Sequence, residues 1–416
     1  MKPTLPLLAL LALALSFPRH ALAAASTFDV RAFGAVGDGH SRDTASLQKA
    51  IEAASAAGGG LVLVPAGRYL TGPLTLASGI ELQLARDAVL LLDADRSRYP
   101  VRNDRYVDGI AAKNAHDIKI TGAGTIDGQG ASWWAAFRAD HDMTHRPYLV
   151  KFTDCTRVEI AGVTLRNAPM FHLVPQNCTN VSIHDIAIEA PADAPNTDGI
   201  DPSGWNFTIT RCRIDTGDDN IAIKPTRSRT PGNKNYLIAD CQFFHGHGLS
   251  VGSGSAGGLD GLVVRHCTFE GTDAGIRIKT PRGNGGLLEH ALYEDLTMHA
   301  VRRPIYIVDW YPERNAPKDP ATEKPEPVTA TTPRNQHILI RNVTATDSPS
   351  AGVIRGLPEA PVTDVVFANV HLSAQTGLVI YHATGIKFVD STVRAAEGPA
   401  LVAFDARIEG LDPAKP

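Results

Sequence analysis

The feature that most constrains the fold is a repeat of short alternating strands, which begins near Ile80 and continues to about Phe388. Segments such as 118–121, 158–160 and 181–183 alternate apolar with polar residues, the pattern of strands that bury one face. Gly, Asn or Asp stands at the turns, and the repeat recurs about every 20 to 30 residues. A sandwich or propeller would need a regular series of tight Asn-Gly or Asp-Gly hairpins, which is missing. The sequence therefore predicts an all-β fold, a parallel β-helix of about ten rungs.

The first residues have the pattern of a secretory signal peptide. Lys2 precedes an apolar run from Leu5 to Phe17, and small residues follow up to Ala21-Leu22-Ala23. This pattern predicts a signal over residues 1–23, with cleavage possible up to residue 25. The run is too short to span a bilayer. We therefore expect an exported, soluble protein, extracellular or periplasmic, whose residues 24–416 form a single domain.

One amphipathic helix precedes the strand repeat. Its apolar stripe is Leu47, Ala50, Ile51 and Ala54, and it should run from about Asp43, as N-cap, to about residue 57 before Gly58. A helix in this position is typical of the cap that covers the open end of a solenoid, here about residues 27–66. The rest of the sequence shows no other helix pattern of note.

Three stretches interrupt the repeat, at about 95–115, 128–148 and 312–335. The third is rich in Pro, Lys and Glu and cannot be a rung. Long loops that leave one face of a rigid solenoid usually form the walls of its binding groove. For the third stretch, a disordered surface insert is the alternative.

Five cysteines are an odd number for an exported chain, so at least one thiol should be free. Cys212, Cys241 and Cys267 hold matching places in three successive repeats, which predicts an internal stack of thiols. Cys155 and Cys178 also match each other, and a disulfide between them stays open. The net charge of −4 indicates no nucleic acid or membrane partner. It does not exclude an anionic polysaccharide, whose recognition needs only local cations.

Four polar clusters follow one another about 20 to 30 residues apart, one rung each. Since stacked strands lie about 4.8 Å apart, they could share one face within roughly 15 Å. In order along the chain, the clusters are Asn196-Thr197-Asp198, Gly217-Asp218-Asp219, Gly246-His247-Gly248 and Arg277-Ile278-Lys279.

These clusters combine the groups that glycosidic bond cleavage requires, a carboxylic acid and a carboxylate that activates water or attacks carbon. Asp218 and Asp219 can both face a groove only at a turn or bulge, for which Gly217 is suited. Asp198 would bring a third carboxylate, and crowded carboxylates raise at least one pKa. We expect all three aspartates at exposed groove positions. Any one cluster alone would more readily consist of residues that cap a turn or of charges in solvent. Four clusters in order favour a functional site.

The remaining clusters supply an imidazole and two cations. His247 lies between two glycines, which would let backbone approach a ligand closely. Arg277 and Lys279 are two residues apart and so share one strand face. This arrangement suits a clamp for a carboxylate-bearing sugar, because Arg binds carboxylates with two parallel hydrogen bonds.

At these residues the chain resembles the polygalacturonases and related pectin hydrolases, glycoside hydrolase family 28. The resemblance covers essentially the whole chain after the signal, and the four clusters are its most specific part. Further matching motifs are FGAVGDG at 33–39, GTIDGQG at 124–130 with Trp133-Trp134, NAPMF at 167–171, GHGLSVGS at 246–253 and RIKT at 277–280.

The resemblance implies a right-handed parallel β-helix that hydrolyses α-1,4-galacturonosyl bonds with inversion. It implies Asp218 as the general acid and Asp198 with Asp219 as the pair that activates water. His247 would support the acid's protonation.

The resemblance also implies substrate-binding residues. Arg277 and Lys279 would bind the galacturonate carboxylate, and Asn196 would be a further substrate contact. Tyr311, or less readily Tyr306, would be the family's groove tyrosine. No cofactor or metal is implied, and a monomer that binds pectic polysaccharide is expected.

Some features depart from the common pattern. Asn220 stands where many endo-acting members have Cys, and residues 226–233 form a polar loop after the aspartate pair. Together with the insertion near 312–336, they favour a groove closed at one end, hence exo action. The alternatives are cleavage of rhamnogalacturonan or xylogalacturonan, a calcium-dependent uronate lyase with Arg277 as base, and a solenoid that only binds polysaccharide.

Overall fold

The computed structural model describes residues 26–140, 145–225 and 232–412. The predicted signal segment lies outside these residues. Within them, successive strands pair in parallel with the strand one coil earlier and one coil later, so that the chain winds into a solenoid with three stacked sheets. Among the described residues, no helix has the length and apolar character that crossing a membrane requires.

The first sheet contains the inner ladder of the core. Its strands are Thr27–Asp29, Gly60–Val64, Ile80–Leu84, His116–Gly122, Thr156–Ala161, Cys178–His184, Gly204–Thr210, Lys234–Ala239 and Leu259–Arg265, followed by the first parts of Leu287–His299, Arg334–Arg355 and Val362–Val389.

The second sheet follows a sharp corner after each strand of the first. Its strands are Asp38–Arg42, Gly67–Thr71, Ala88–Leu92, Thr125–Asp127, Thr164–Arg166, Ala187–Glu189, Arg213–Thr216, Gln242–His245 and Thr268–Glu270.

The third sheet forms the remaining face. Its strands are Leu74–Thr75, Ile110–Lys113, Val150–Thr153, Leu173–Gln176, Ile221–Ile223, Leu249–Gly252, Ala274–Lys279 and Arg303–Val308, with Ile200 bridging Leu173 and Ile221. Toward the C-terminus, Leu287–His299, Arg334–Arg355, Val362–Val389 and Thr392–Glu409 are long strands that bend through more than one sheet.

The core is a set of ladders in which each apolar residue stacks on its counterpart in the next coil. In the first sheet, Leu82, Ile120, Ile160, Ile183, Ile209, Ile238 and Val264 are in register and buried. The alternation in sequence produces this ladder because successive strand residues point to opposite faces. Each such side chain contributes roughly 1.5 to 3 kcal/mol by burial.

The predicted cap is present as helix α1, Thr44–Ala56, which packs on the first strands and buries Leu47, Ala50, Ile51 and Ala54. Asp43 precedes it, but its carboxylate does not cap the helix. It accepts hydrogen bonds from Val36 N at 2.7 Å and Gly37 N at 3.0 Å instead. Asp43 is the N-cap residue, as predicted, but its carboxylate ties the Gly-rich turn to the helix and does not cap it.

A second helix, α2, spans Ala131–Ala139 inside the second interruption. The expectation of no other helix was wrong, because this short helix is held by tertiary contacts. Trp133 is fully buried between Tyr99 and Tyr106, with ring centroids 5.2 and 4.7 Å away. Both tyrosines belong to the first interruption, so the two insertions pack on each other.

The interruptions also contain smaller elements, and their bounds differ from those expected. The first includes the 3-10 turn Arg96–Arg98, the antiparallel hairpin of Val101–Arg102 with Arg105–Tyr106, and the third-sheet strand Ile110–Lys113. The third interruption is ordered around the 3-10 turns Glu313–Asn315 and Pro320–Thr322. A further 3-10 turn, Val30–Phe33, lies in the cap.

All five cysteines are free and buried. Cys212, Cys241 and Cys267 follow one another in successive coils, and the Sγ of Cys241 points to Ala239 O at 3.3 Å. The predicted thiol stack is present. Cys155 and Cys178 are likewise neighbouring thiols without a bridge.

Candidate active site

The four sequence clusters meet on the outer face of the third sheet, which we call the groove. Asp198, Asp219 and His247 each stand two residues before Ile200, Ile221 and Leu249, and these three are successive register partners. The three side chains therefore form one column along the solenoid axis, with steps of about 4.8 Å. Arg277 and Lys279 lie one coil further on, in register with Ser250 and Gly252.

Asp219 is at the centre of a buried ion cluster. Its Oδ2 accepts from Lys279 Nζ at 2.6 Å, and its Oδ1 accepts from Arg277 Nη1 and from Ser250 Oγ. Burial alone would raise the pKa of Asp219, but Lys279 and Arg277 lower it well below the ordinary value. The carboxylate is thus ionised, and both cations are fixed in place.

The Asp218 side chain is partly buried and lies beside His247. The imidazole Nδ1 is 3.1 Å from Asp218 Oδ1 and 3.5 Å from Asp219 Oδ1. Burial disfavours the imidazolium, yet the contacts with both carboxylates outweigh it and raise the pKa of His247 to about 9. Burial raises the pKa of Asp218, but the contact with His247 lowers it, and the resulting pKa is below the ordinary value. At neutral pH this pair therefore holds one proton, on the imidazole.

Asp198 belongs to a second buried cluster that the sequence did not indicate. Lys224 Nζ donates to Asp198 Oδ2 at 2.9 Å and also to Asp201 Oδ2. The ammonium group of Lys224 is therefore hydrogen-bonded to two buried carboxyl groups. Burial, and then the neighbouring carboxylates, raise the pKa of Asp198 well above the ordinary value, while burial raises that of Asp201 to about 6.

The aspartates are not all exposed, as the sequence led us to expect. Asp219 is 1% and Asp198 3% accessible, whereas the Asp218 side chain is 23% accessible. The expectation was wrong for two of the three, because neighbouring coils contribute cations that bury them. The turn predicted to aim Asp218 and Asp219 into the groove is present between Arg213–Thr216 and Ile221–Ile223.

Close backbone packing fixes these turns. At Gly217, a Cβ would lie 2.4 Å from Ala194 O, and its N donates to Thr197 Oγ1 at 3.0 Å. At Gly248, a Cβ would lie 1.8 Å from Ala274 O. The glycine after His247 is thus required by the next coil of the solenoid rather than by a ligand.

Asn220 is buried and joins the turn that holds Asp218 and Asp219 to the turn that holds His247. Its Nδ2 donates to Ile214 O at 3.1 Å and Phe244 O at 3.0 Å, and its Oδ1 accepts from Gly248 N at 2.8 Å. Asn220 therefore fixes the turn that holds Asp218 and Asp219 to the turn that holds His247. The sequence singled it out only as a departure from a family pattern.

Asn196 lies two residues before Asp198, and its amide oxygen already has a partner. Arg146, which is buried and comes from the second insertion, donates to Asn196 Oδ1 at 2.6 Å and to Pro195 O at 3.0 Å. Arg146 thereby fixes the turn that leads to Asp198. Nothing in the sequence pattern pointed to this residue, because its insertion has no regular register with the coils.

Two tyrosines lie beside the cation pair. Arg277 Cζ is 5.9 Å from the ring centroid of Tyr311 and 5.7 Å from that of Tyr306. Lys279 Nζ is 5.4 Å from the Tyr311 ring. Tyr306 is buried, being in register with Arg277, whereas Tyr311 is half-exposed at the groove.

Asp218, Asp219 and His247 present ligand atoms within 4.8 Å of one another, close enough to hold an ion. The donor set fits a calcium ion poorly, because Asp219 already accepts from two cations and a hydroxyl. Two fixed positive charges would also repel a divalent cation at this place. The geometry therefore does not favour the metal-dependent lyase alternative.

Comparison with known proteins places this arrangement in a family. The model of glycosyl hydrolases family 28 matches residues 57–392. The chain belongs to this family. It is therefore a glycoside hydrolase, and the alternative of a solenoid that only binds polysaccharide is not favoured.

Individual relatives are similar over most of the chain. A probable polygalacturonase of Vitis vinifera is 32% identical over 87% of this chain and 77% of its own. Among solved structures, an exopolygalacturonase from Thermotoga maritima is 27% identical with a TM-score of 0.71, covering 93% of this chain and 92% of that one. The polygalacturonase of Erwinia carotovora is 25% identical with a TM-score of 0.67, covering 95% and 97%. The predicted right-handed parallel β-helix with an N-terminal capping helix is confirmed.

Proposed function

We propose that this family 28 hydrolase cleaves α-1,4-galacturonosyl bonds of polygalacturonate or pectin with inversion at the anomeric carbon. The observation that supports it best is the buried Asp219–Arg277–Lys279 cluster, with Asp218 and His247 beside it and Asp198 one coil earlier. Carboxyls for acid and base chemistry thus lie next to cations suited to a uronate. The T. maritima relative is named an exopolygalacturonase, and the Vitis relative a probable polygalacturonase.

Substrate carboxylates would bind at the cation pair. Arg277 Nε has no hydrogen-bond partner among the described residues, so one donor of this guanidinium is unused. Lys279 Nζ, with three donors, can bind Asp219 and a carboxylate together. Tyr311 and Asn196 are proposed as further contacts at the two ends of this part of the groove.

Asp218 is proposed as the general acid. Its proton would come from His247 Nδ1, 3.1 Å away. A bound uronate partly neutralises Arg277 and Lys279, so the pKa of Asp218 rises and the proton moves from imidazolium to carboxylate. Asp218 then protonates the leaving O4 as the C1–O4 bond breaks.

Asp198 and Asp219 are proposed to hold and activate the water. The water attacks C1 from the opposite face of the sugar, and its proton passes to a carboxylate of this pair. Asp219, ionised by its two cations, orients the water. Asp198, whose pKa is raised by burial, is the better proton acceptor.

We also propose export after removal of residues 1–23, action as a monomer without cofactor, and a preference for exo cleavage. Residues 226–231 of the polar loop that favoured exo action lie outside the described residues. The insertion that follows Tyr311 is anchored on the solenoid, where Glu323 binds Arg355 and accepts from Trp310 Nε1 at 2.7 Å. It supplies a wall on the downstream side of the groove.

A time course of products from polygalacturonic acid, separated by chain length, tests this function. Saturated monomer or dimer from the outset is expected, with new reducing ends and no absorbance from unsaturated sugars. Unsaturated products would contradict hydrolysis, and a ladder of intermediate oligomers would contradict exo action. Release from rhamnogalacturonan or xylogalacturonan alone would contradict the substrate.

A further inference from the structure

A buried carboxyl group lies at the base of the insertion that follows Tyr311. Asp309 is fully buried and stands two residues before Tyr311. Asn335, at the far end of the insertion, donates from Nδ2 to Asp309 Oδ1 at 2.7 Å. The backbone N of Asp309 donates to Arg355 O at 2.9 Å in the next coil. The carboxyl group of Asp309 therefore joins the two ends of the insertion where they meet the solenoid.

The same carboxyl group also contacts the strand that carries Lys279. Thr280 is the residue after Lys279, and its N donates to Val308 O at 3.0 Å. The Oγ1 of Thr280 donates to Asp309 Oδ1 and accepts from Asn335 Nδ2 at 3.1 Å. Thr280 and Asn335 are almost fully buried. We call Asp309, Thr280 and Asn335 the base cluster.

The base cluster contains no cation, and among the described residues no basic side chain forms an ion pair with Asp309. The cations on neighbouring elements each bind another carboxylate, in the pairs Lys279–Asp219, Arg282–Glu359 and Arg355–Glu323. An ionised carboxylate at Asp309 would therefore be buried without a counter-charge, which is costly. Burial accordingly raises the pKa of Asp309 to about 7, the charge of Glu359 adds to the increase, and the hydrogen bonds within the base cluster oppose it.

Two buried oxygen atoms of the base cluster have no hydrogen-bond partner among the described residues. They are Asp309 Oδ2 and Asn335 Oδ1, and the other atoms of the same two groups already bind each other. Two acceptors cannot satisfy one another, but a proton on Asp309 Oδ2 supplies the missing donor, and the acid then pairs with the amide through two parallel hydrogen bonds. The two unpartnered atoms therefore indicate a neutral carboxylic acid rather than a carboxylate.

We propose that Asp309 is a positioning residue for substrate binding and acts as a neutral carboxylic acid. By holding the residue after Lys279 and both ends of the insertion, it keeps Lys279 and Tyr311 in place. Ionisation of Asp309 removes the hydrogen bond to Asn335 Oδ1 and leaves a buried negative charge, so the base of the insertion loosens and the substrate binds less tightly. The inference rests on the proposed function, since it takes Lys279 and Tyr311 as substrate contacts.

The test is the pH dependence of KM for polygalacturonate in the wild type and in Asp309→Asn. In the wild type, KM should rise about tenfold between about pH 6 and pH 8, because only the molecules with neutral Asp309 are competent to bind. The amide of the variant cannot ionise, and its NH2 group donates to Asn335 Oδ1 in place of the acid. Its KM should therefore change by less than about twofold over this range. In both proteins kcat should stay within about twofold, because saturating substrate holds the groove in its binding form.

Asp364→Asn is the matched control. Asp364 is an exposed aspartate that binds His337 at 2.6 Å, and its substitution should leave the wild-type dependence of KM on pH. A KM that rises equally in the wild type and in Asp309→Asn, or that stays constant in both, would overturn the proposal.

A second measurement requires no catalysis and compares the Tm of the wild type with that of Asp309→Asn at about pH 5 and about pH 8. Folding raises the pKa of Asp309 from its ordinary value of 3.8 to about 7, so the wild type loses stability as pH rises between these values. The variant lacks this loss, and the Tm difference should shift in its favour by roughly 2 to 5 °C at the higher pH. A constant difference would contradict the neutral acid. If the wild type cleaved no polygalacturonate, the proposed function would fail, whereas the Tm comparison would still decide the protonation of Asp309.

Discussion

The protonation state of each buried carboxyl group in the groove depends on whether a cation pairs with it alone or is shared with a second carboxyl group. Asp219 has Arg277 and Lys279, whereas Asp198 shares Lys224 with Asp201. The pKa of Asp219 is accordingly lowered, and that of Asp198 is raised. The two carboxylates proposed to handle water thus differ in basicity because of residues one or two coils away.

Asp201→Asn should shift the acid limb of the pH–kcat/KM profile to lower pH. In its proposed role as base, Asp198 must be ionised, so activity should be lost as pH falls through its pKa. Without the charge of Asp201, Lys224 forms an ion pair with Asp198 alone, and the pKa of Asp198 falls. The profile of Asp260→Asn, an exposed aspartate bound to His290 outside the groove, should match that of the wild type. An acid limb that stays in place or moves up in Asp201→Asn would contradict this account.

His247→Gln should remove the alkaline limb of the pH–kcat profile and lower kcat by roughly a hundredfold, because we propose that the imidazole supplies the proton of Asp218. In the wild type the pKa of His247 is raised to about 9, so activity should persist below that pH and fall above it. The same sign holds for stability. The ion pair contributes fully below the unfolded pKa of about 6.5 and is lost as pH rises through 9.

The control for this prediction is His245→Gln. His245 is exposed two residues earlier and bonds Asp215 at 2.7 Å on the outer surface. The substitution His245→Gln should leave the acid and alkaline limbs of the pH profile unchanged. If His247→Gln retained the alkaline limb near pH 9, the limb would belong to another group and the proton-storage role would be refuted.

Among the structural elements, the turns that hold Asp198, Asp218 and His247 are joined by hydrogen bonds between coils. Asn220 satisfies backbone groups of three neighbouring segments, and Thr197 joins the first two turns. Asn220→Ala should therefore destabilise the fold by roughly 2 to 4 kcal/mol, because buried donors and acceptors lose their partner. Urea unfolding measures this change, and kcat should fall as well, since the Asp218–His247 geometry loosens.

Asn206→Ala is the comparison for Asn220→Ala. Asn206 is an exposed member of a surface row and donates to Asn180 Oδ1. Because the φ of Asn206 is 63°, where alanine is strained, this substitution should still cost about 1 kcal/mol, less than Asn220→Ala. Similar effects of the two substitutions would argue against this role of Asn220.

Most of the strands and their stacking can be predicted from the sequence, because in a solenoid both follow from a pattern that repeats along the chain. Alternation in 118–120, 158–160 and 181–183 defines strands, and their recurrence defines the stacking. The same regularity brings the four polar clusters together. The cap helix was predicted with its buried stripe, and its boundaries differ by only one residue at each end.

What sequence could not provide are contacts that depend on exact register or on the insertions. Lys224 reaches back one coil to Asp198, and Arg146 enters from an insertion to hold Asn196. Helix α2 exists because Tyr99 and Tyr106 bury Trp133, not because of a long periodic pattern. The burial of Asp198 and Asp219 likewise follows from cations on other coils.

At the scale of the whole molecule, the solenoid provides one straight groove with insertions along its sides. The first two insertions pack together upstream, and the third is anchored downstream by Glu323. Glu323 accepts from Arg355 and Trp310 and lies 3.5 Å from His382 Nε2. A rigid scaffold with attached walls suits a long polymer, because each coil adds one more contact position along the chain.

Glu323→Gln should destabilise the protein by about 3 to 5 kcal/mol, because Arg355 would stay buried without a counter-charge. Thermal unfolding measures the change. Glu326→Gln is the matched control in the same insertion. Its partner Arg282 lies 2.7 Å away at the surface, and the expected change is below about 1 kcal/mol. A neutral effect of Glu323→Gln would mean that the insertion is not anchored through this pair.

In the proposed mechanism, water attacks the anomeric carbon directly while Asp218 protonates the leaving oxygen. Proton NMR of the products in the first minutes of polygalacturonate cleavage tests it most directly. Inversion of an α-linked substrate predicts that the new reducing end appears first as the β-anomer and then mutarotates. An α-anomer as first product would require a covalent intermediate and would contradict the roles proposed for Asp198, Asp218 and Asp219.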